Sequence, residues 1–322
     1  MELIENCMNK VLNGKSITMK EALTLASISS NYVSELAEAA NIICREFNGN
    51  KVDVESLINA KSGNCPEDCY FCAQAARYNT NIKRYPLLDK YTITESAEKA
   101  KKSGASSFCL VCAYREPPED DFNAICNIIS YIKDKVGIDV NCSLGFMTEK
   151  RARRLKDVGV KRYNHNLETC KSYFDKICST HNYNDRVRTA KIVKSVGLEL
   201  CSGGIIGLGE SLEQRLELAF EAKELEPDEF PFNILIAREN TPLAKNRTLD
   251  PLEIIKMISI YRFIMPKTII KLAGGREVHL KEFESMALLG GANGIITGGY
   301  LTVGGNEASR DLSMIRNLGL EV

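Results

Sequence analysis

The stretch VESLINAKSGNCPEDCYFC, residues 54–72, carries two signals in succession. Its first seven residues, VESLINA, form a short apolar run with polar neighbours, which reads as a β-strand. The remainder is a loop holding Cys65, Cys69 and Cys72, with no fourth Cys or His nearby. A strand that ends in a loop with reactive groups is an order that recurs down the chain. The runs SFCLVC (107–112), IDVNCSL (138–144), VKRYNHN (160–166), LELCSGG (198–204), FPFNILI (230–236), TIIKLAG (268–274) and GIITGG (294–299) read as seven further strands. Amphipathic segments of helical period lie between them, such as FNAICNIISYIKDKVG and SLEQRLELAFEAKEL. Eight strands alternating with helices predict an α/β fold, a (β/α)8 TIM-type barrel, in preference to a doubly wound sheet.

The segments before the first strand differ. MKEALTLAS and YVSELAEAANIICREF carry apolar residues three and four apart, and NGN at 48–50 breaks the run. We therefore expect an N-terminal helical cap over 1–50 and the barrel over 51–322.

The 322 residues include 42 Lys and Arg against 42 Asp and Glu, a formal net charge of zero. That balance gives no electrostatic case for nucleic acid as a partner. No apolar run approaches the ~20 residues of a membrane span. The first residues, MELIENCMNK, lack the apolar core of a signal peptide. A cytoplasmic location without membrane attachment is expected, and there the 12 cysteines serve as thiols or metal ligands rather than disulfides.

Barrel enzymes carry their chemistry at the C-terminal ends of the strands. The cysteine triplet follows the first strand, Cys109 and Cys112 end the second, Cys142 lies near the end of the third and Cys201 near the end of the fifth. Asn164, His165, Asn166 and Glu168 follow the fourth, Asn233 lies on the sixth and Lys271 on the seventh. A lone cysteine in an apolar strand is ordinarily a small core residue. Four of them at the ends of three different strands fit that reading less well. Cys7, Cys44, Cys126, Cys170 and Cys178 fall on helical patterns and are read as core.

The triplet has its own chemical logic. Structural zinc takes four ligands. Three thiolates on a four-iron cubane leave one iron open to chelate a small molecule and hand it an electron. A cluster that only carried electrons would be closed by a fourth cysteine, so the open site argues for catalysis.

The C-x3-C-x2-C spacing, with Phe71 before the last cysteine, resembles the signature of the radical S-adenosylmethionine (SAM) superfamily. With SGNCPEDCYFCAQAARY, YNHNLET, CSGGIIGLGE and LAGGRE in order, the chain is similar to the biotin synthase family from about residue 50 onward. The resemblance implies a radical SAM sulfurtransferase that inserts sulfur between two saturated carbons of dethiobiotin. It implies a [4Fe-4S] cluster held by Cys65, Cys69 and Cys72, with SAM on its open iron as the source of a 5′-deoxyadenosyl radical. Phe71 and Ile205 would seat the adenine. Glu168, where the family usually has Asp, would take the ribose hydroxyls. Asn166 would lie between SAM and substrate, and Asn233 would meet the ureido ring. No side-chain acid or base is required, so His165 is read as structural.

The resemblance also implies an auxiliary iron–sulfur cluster as a sacrificial sulfur donor, matched to Cys109, Cys142 and Cys201. The family's fourth ligand is an arginine. Here Lys271 stands at that position, Arg276 belongs to the later GGRE, and Cys112 is an extra thiol. We expect Cys112 to replace the arginine on an enlarged four-iron cluster. The alternative is a [2Fe-2S] cluster ligated through Lys271 or a non-protein ligand, with Cys112 in the core. Residues three apart on a continuous strand face opposite sides, so Cys112 joins Cys109 only if the strand ends between them. Implied partners are dethiobiotin, a flavodoxin or ferredoxin as reductant, and a second copy in a homodimer. Two rivals remain: a radical SAM barrel of the hydrogenase-maturation or methylornithine-synthase type, and a non-catalytic iron–sulfur electron carrier.

Overall fold

Each apolar run becomes part of one parallel sheet in the structure, a computed structural model that describes residues 2–301 and 304–322. The strands are β1 (Asp53–Lys61), β2 (Ser107–Cys112), β3 (Asp139–Ser143), β4 (Val160–Asn164), β5 (Glu199–Cys201), β6 (Gly204–Ile206), β7 (Glu229–Ile234), β8 (Ile269–Leu272) and β9 (Gly294–Thr297). Their order is β5-β4-β3-β2-β1-β9-β8-β7-β6, and a β5–β7 pairing closes the ring. β5 and β6 are two halves of one stave, so the nine strands make the expected eight-stave (β/α)8 barrel.

The split in the fifth stave has a steric cause. A Cβ on Gly203 would stand 2.2 Å from the Pro231 carbonyl oxygen, and one on Gly204 would stand 2.8 Å from the Glu168 carbonyl oxygen. Neighbouring backbone comes so close that only glycine fits. The ladder is replaced by bonds to the loop after β4. Leu167 and Glu168 N–H both donate to the Gly203 carbonyl, at 2.9 and 3.1 Å, and Ile205 N–H donates to the Glu168 carbonyl at 2.8 Å. The sequences YNHNLET and CSGGII are thereby zipped together.

Outward strand residues meet a shell of helices. Phe230 and Phe232 each pack edge-on against Tyr261 of the helix Pro251–Ile264, with centroids 5.3 Å apart. Before β1 come the helices Glu2–Leu12, Met19–Ala26 and Val33–Asn48. The last of these buries Val33, Leu36, Ala37, Ala40, Ile43 and Cys44, a stripe at three-and-four spacing. That stripe lies against Pro251–Ile264 and Glu2–Leu12. Among the described residues no helix is long and apolar enough to cross a membrane.

Inward strand residues are polar at the barrel floor. Lys271 Nζ lies 2.6 Å from Glu229 Oε2, 2.7 Å from Asp53 Oδ1 and 3.2 Å from Glu55 Oε2. Arg162 pairs with Glu229 and, at 3.0 Å, with Glu199. Asn141 Nδ2 donates to Glu55 Oε2 at 2.5 Å. Burial alone would lower the pKa of Lys271, but Glu229, Glu55 and Asp53 outweigh it and hold the ammonium above the ordinary lysine range. A raised pKa stabilises the fold fully below the ordinary lysine value and ceases to do so only as pH rises through the folded one. Lys271 is therefore cationic throughout the neutral range.

Removing one member of a buried ion pair costs about 3–5 kcal/mol, because the other charge is left uncompensated. Lys271→Met is expected to lose that much in denaturant unfolding at pH 7. The deficit should shrink on acidification, as Glu229, already held above the usual carboxylate range by burial, takes a proton.

Candidate active site

The cysteine loop after β1 is shaped by the two acids between its cysteines. Glu67 accepts hydrogen bonds from Arg115, from Thr180 Oγ1 and, at 2.5 Å, from His181 Nδ1. Asp68 accepts from Ser179 N–H at 2.9 Å, from Thr180 N–H at 3.1 Å and from the Ser179 hydroxyl. Tyr70 N–H donates to the Ile177 carbonyl at 2.8 Å. CPEDC is thus clamped to residues 177–181. On the other side, Gln74 Oε1 accepts from Gly63 N–H at 2.7 Å, and Gln74 Nε2 donates to Asn59 Oδ1 at 3.1 Å. Cys65 N–H closes the loop on the Gln74 carbonyl at 3.1 Å.

The result is that Cys65, Cys69 and Cys72 all face one cavity of about 330 Å³ at the C-terminal end of the barrel. Among the described residues every cysteine is a free thiol. A hydrogen bond with Cys178, together with burial, pushes the Cys69 thiol well up, and burial pushes Cys72 up to about 11. As bare groups they are protonated at neutral pH, and metal binding has to displace those protons.

The same cavity is lined by Phe71, Asn166, Glu168, Ile205 and Asn233. Asn166 Oδ1 accepts from Gly203 N–H at 3.1 Å, and its Nδ2 lies 3.5 Å from Glu168 Oε2. Glu168 has φ +70°, held by the zipper to Gly203 and by Arg186 Nη1 at 3.5 Å. Asn233 Oδ1 accepts from Gly274 N–H at 2.9 Å while its Nδ2 donates to the Gly204 carbonyl at 3.2 Å. Its amide is therefore fixed in orientation before any ligand arrives. His165 also borders the cavity, and burial holds its imidazole far below the usual range, neutral.

The floor of the cavity is formed by Glu55 and Glu229. Cys201 Sγ donates to Glu229 Oε1 at 3.0 Å, and Asn164 Nδ2 donates to Cys109 Sγ at 3.6 Å. These two thiols belong to the polar lumen. Cys142 does not. Cys109 pairs in register with Asn141, and Leu110 with Cys142. Asn141 points inward to Glu55, so Cys142 points outward. It packs in the apolar shell, which also holds Cys126 of the helix Glu119–Lys135. β2 runs unbroken through Cys112, which alternation puts on the face opposite Cys109. Cys112 borders the cavity, and burial pushes its thiol up to about 12. Of the four cysteines expected at the second cluster, Cys109 and Cys201 make polar contacts on the lumen side, Cys112 borders the cavity and Cys142 lies in the apolar shell. Lys271 Nζ is ion-paired three ways.

The sequence reading missed Cys178 and His181. Their sulfur and ring nitrogens lie with Cys69 Sγ inside 4.8 Å of one another, all buried. Cys178 follows the short turn Phe174–Lys176 rather than sitting in a helix. The Cys-x-x-His spacing of CSTH was the available signal. Arg186, which donates to His181 Nε2 at 3.1 Å, gave none.

Comparison with known proteins fits this geometry. The model of the Radical SAM superfamily matches residues 60–222, and that of the Biotin and Thiamin Synthesis associated domain matches residues 231–321. The biotin synthase of Nitrosopumilus maritimus (strain SCM1) is 51% identical over 321 residues, covering 100% of this chain and 98% of that protein. This chain belongs to the biotin synthase family. The family's member from Cenarchaeum symbiosum (strain A) is 50% identical, with 99% of each chain covered. Among solved structures, methylornithine synthase superposes with TM-score 0.83 at 21% identity, over 98% of this chain and 96% of that one. The [FeFe]-hydrogenase maturase HydG superposes with TM-score 0.84 at 18% identity, over 99% of this chain and 75% of that one. At those identities the likeness is one of fold.

The clamp on the cysteine loop is directly testable. Asp68→Ala takes the carboxylate acceptor away from the N–H groups of Ser179 and Thr180 and is expected to cost about 1–3 kcal/mol in unfolding free energy. Burial would raise the Asp68 carboxyl, but the bonds from Ser179, Cys178 and Thr180 outweigh it and hold it below the usual range. A depressed carboxyl stabilises above its unfolded pKa and stops as pH falls through the folded one. The gap between parent and variant should be full at pH 7 and close progressively below about pH 4.

Proposed function

We propose that this chain is a biotin synthase, converting dethiobiotin to biotin by radical sulfur insertion. The observation that carries the reading is one cavity with the open three-cysteine loop at its mouth and, behind its lining, two further thiols: Cys201 bonded to Glu229 and Cys109 bonded to Asn164. When bound, SAM on a four-iron cluster would supply a carbon-centred radical, and an auxiliary iron–sulfur cluster would supply the sulfur.

The chain's own residues then position and shield. Cys65, Cys69 and Cys72 would hold the SAM cluster. Phe71 and Ile205 would flank the adenine, and Glu168 and Asn166 would take the ribose. Asn233, with its amide already fixed by Gly274 and Gly204, would set the ureido ring. Asn166 lies on the same wall and would separate cofactor from substrate. Cys109 and Cys201 would hold the sulfur donor. Partners that fit this reading are a flavodoxin or ferredoxin as reductant and a second copy of the chain in a cytoplasmic homodimer. The likeness in fold to methylornithine synthase and to the maturase supports a rival radical SAM reaction, but such a reaction has no use for a second pair of thiols behind the lining.

The test is anaerobic. The reduced parent protein with SAM and dethiobiotin should yield biotin, methionine and 5′-deoxyadenosine. A variant with Cys65, Cys69 and Cys72 all changed to Ala should cleave no SAM and still retain iron, about two per chain for a [2Fe-2S] donor and about four for the enlarged form. No SAM cleavage by the parent would leave an electron carrier. A folded triple variant without iron would point to a different radical SAM barrel.

A further inference from the structure

The cavity floor presents more ligating oxygen than sulfur. A cluster seated there needs protein ligands on each of its outer irons, and among the described residues Cys109, beside Asn164, and Cys201, beside Glu229, offer sulfur from the inward face. Cys142 is turned into the apolar shell. Lys271 is an ammonium between three carboxylates. What remains at the floor is Glu55 and Glu229, both wholly buried, both on the cavity surface.

Their geometry suits ligation. Glu229 Oε1 stands 3.0 Å from Cys201 Sγ. Two ligands on one tetrahedral metal, with metal–sulfur about 2.3 Å and metal–oxygen about 2.0 Å, stand roughly 3.5 Å apart. Once Cys201 gives up its proton to bind a metal, Glu229 Oε1 loses its donor and faces the same metal. Its other oxygen, Oε2, is pinned by Lys271 at 2.6 Å and by Arg162. Glu55 repeats the pattern. Oε2 takes Asn141 at 2.5 Å, Lys271 at 3.2 Å and Ser107 at 3.3 Å. Oε1 is buried and has no hydrogen-bond partner among the described residues. Asn141 Oδ1 and Asn164 Oδ1 are buried and unpartnered in the same way. Buried polar atoms are nearly always paired. Three orphans around one floor indicate a group that belongs there.

We propose that Glu229 and Glu55 ligate the sulfur-donor cluster through Oε1, Glu229 beside Cys201 and Glu55 beside Cys109. Lys271, at the position of the family's ligating arginine, acts as a positioning residue: it holds both Oε2 atoms and so aims both Oε1 atoms. The inference rests on the reading of the chain as a sulfur-inserting enzyme.

The experiment uses the Cys65/Cys69/Cys72→Ala protein reconstituted anaerobically with ⁵⁷Fe and sulfide, read by iron count and Mössbauer spectrum. Iron with mixed oxygen and sulfur ligands has a larger isomer shift than iron with sulfur alone. We expect a doublet of the mixed kind. Adding Glu229→Gln should shift or abolish it, and combining Glu229→Gln with Glu55→Gln should remove most of the iron. Glu229→Asp keeps the charge facing Lys271 and Arg162, so it reports on ligation even if the Gln variant fails to fold; its doublet should move. Cys142→Ala should leave both count and spectrum unchanged. All-sulfur doublets in the parent, spectra indifferent to Glu229→Asp, or loss of the cluster in Cys142→Ala would each overturn the carboxylate ligands while leaving sulfur insertion standing. A folded parent that takes up no iron would overturn both.

Discussion

The ammonium of Lys271 among Asp53, Glu55 and Glu229 is the interaction on which the rest of the barrel depends. Those four residues come from β1, β7 and β8, and Arg162 adds β4. One polar knot therefore ties half the staves together across the lumen. A buried ion pair is weak evidence for stability, since apolar residues of like volume often serve as well. Its presence here calls for another reason. The knot leaves Glu229 Oε1 to Cys201 and Glu55 Oε1 without a partner among the described residues, which an apolar plug could not do.

Above the knot, the same economy of local sequence recurs. Glu67 and Asp68 sit between the cysteines and fix the loop that carries them. Asn166, Glu168 and Ile205 owe their places to the two glycines that let the fifth stave break. In each case the groups that face the ligand are set by neighbours that face away from it.

The strands and the open triplet were legible in the sequence because both are local. VESLINA and SFCLVC announce themselves within a few residues, and C-x3-C-x2-C is read without knowing the fold. The floor was not legible, because it depends on register. A shift of one residue along a strand moves a side chain to the other face. Cys142 and Asn141 are adjacent in the sequence, and nothing in NCS says which of them looks inward. Alternation puts Cys112 on the strand face opposite Cys109, because β2 runs through it. The three carboxylates around Lys271 come from residues more than 200 positions away on β1 and about 40 away on β7, beyond any local pattern. Cys178 was hidden differently: a helical period was read across a segment that is a short turn and a loop.

The sealed floor also imposes an order of traffic. With Lys271 and its carboxylates tied across the lower end, what reaches the floor of the cavity passes the cysteine loop. Whatever occupies the bottom must arrive before whatever occupies the top, and must leave after it. The barrel works as a last-in, first-out stack, and repair of its deepest occupant has to wait until everything above has gone.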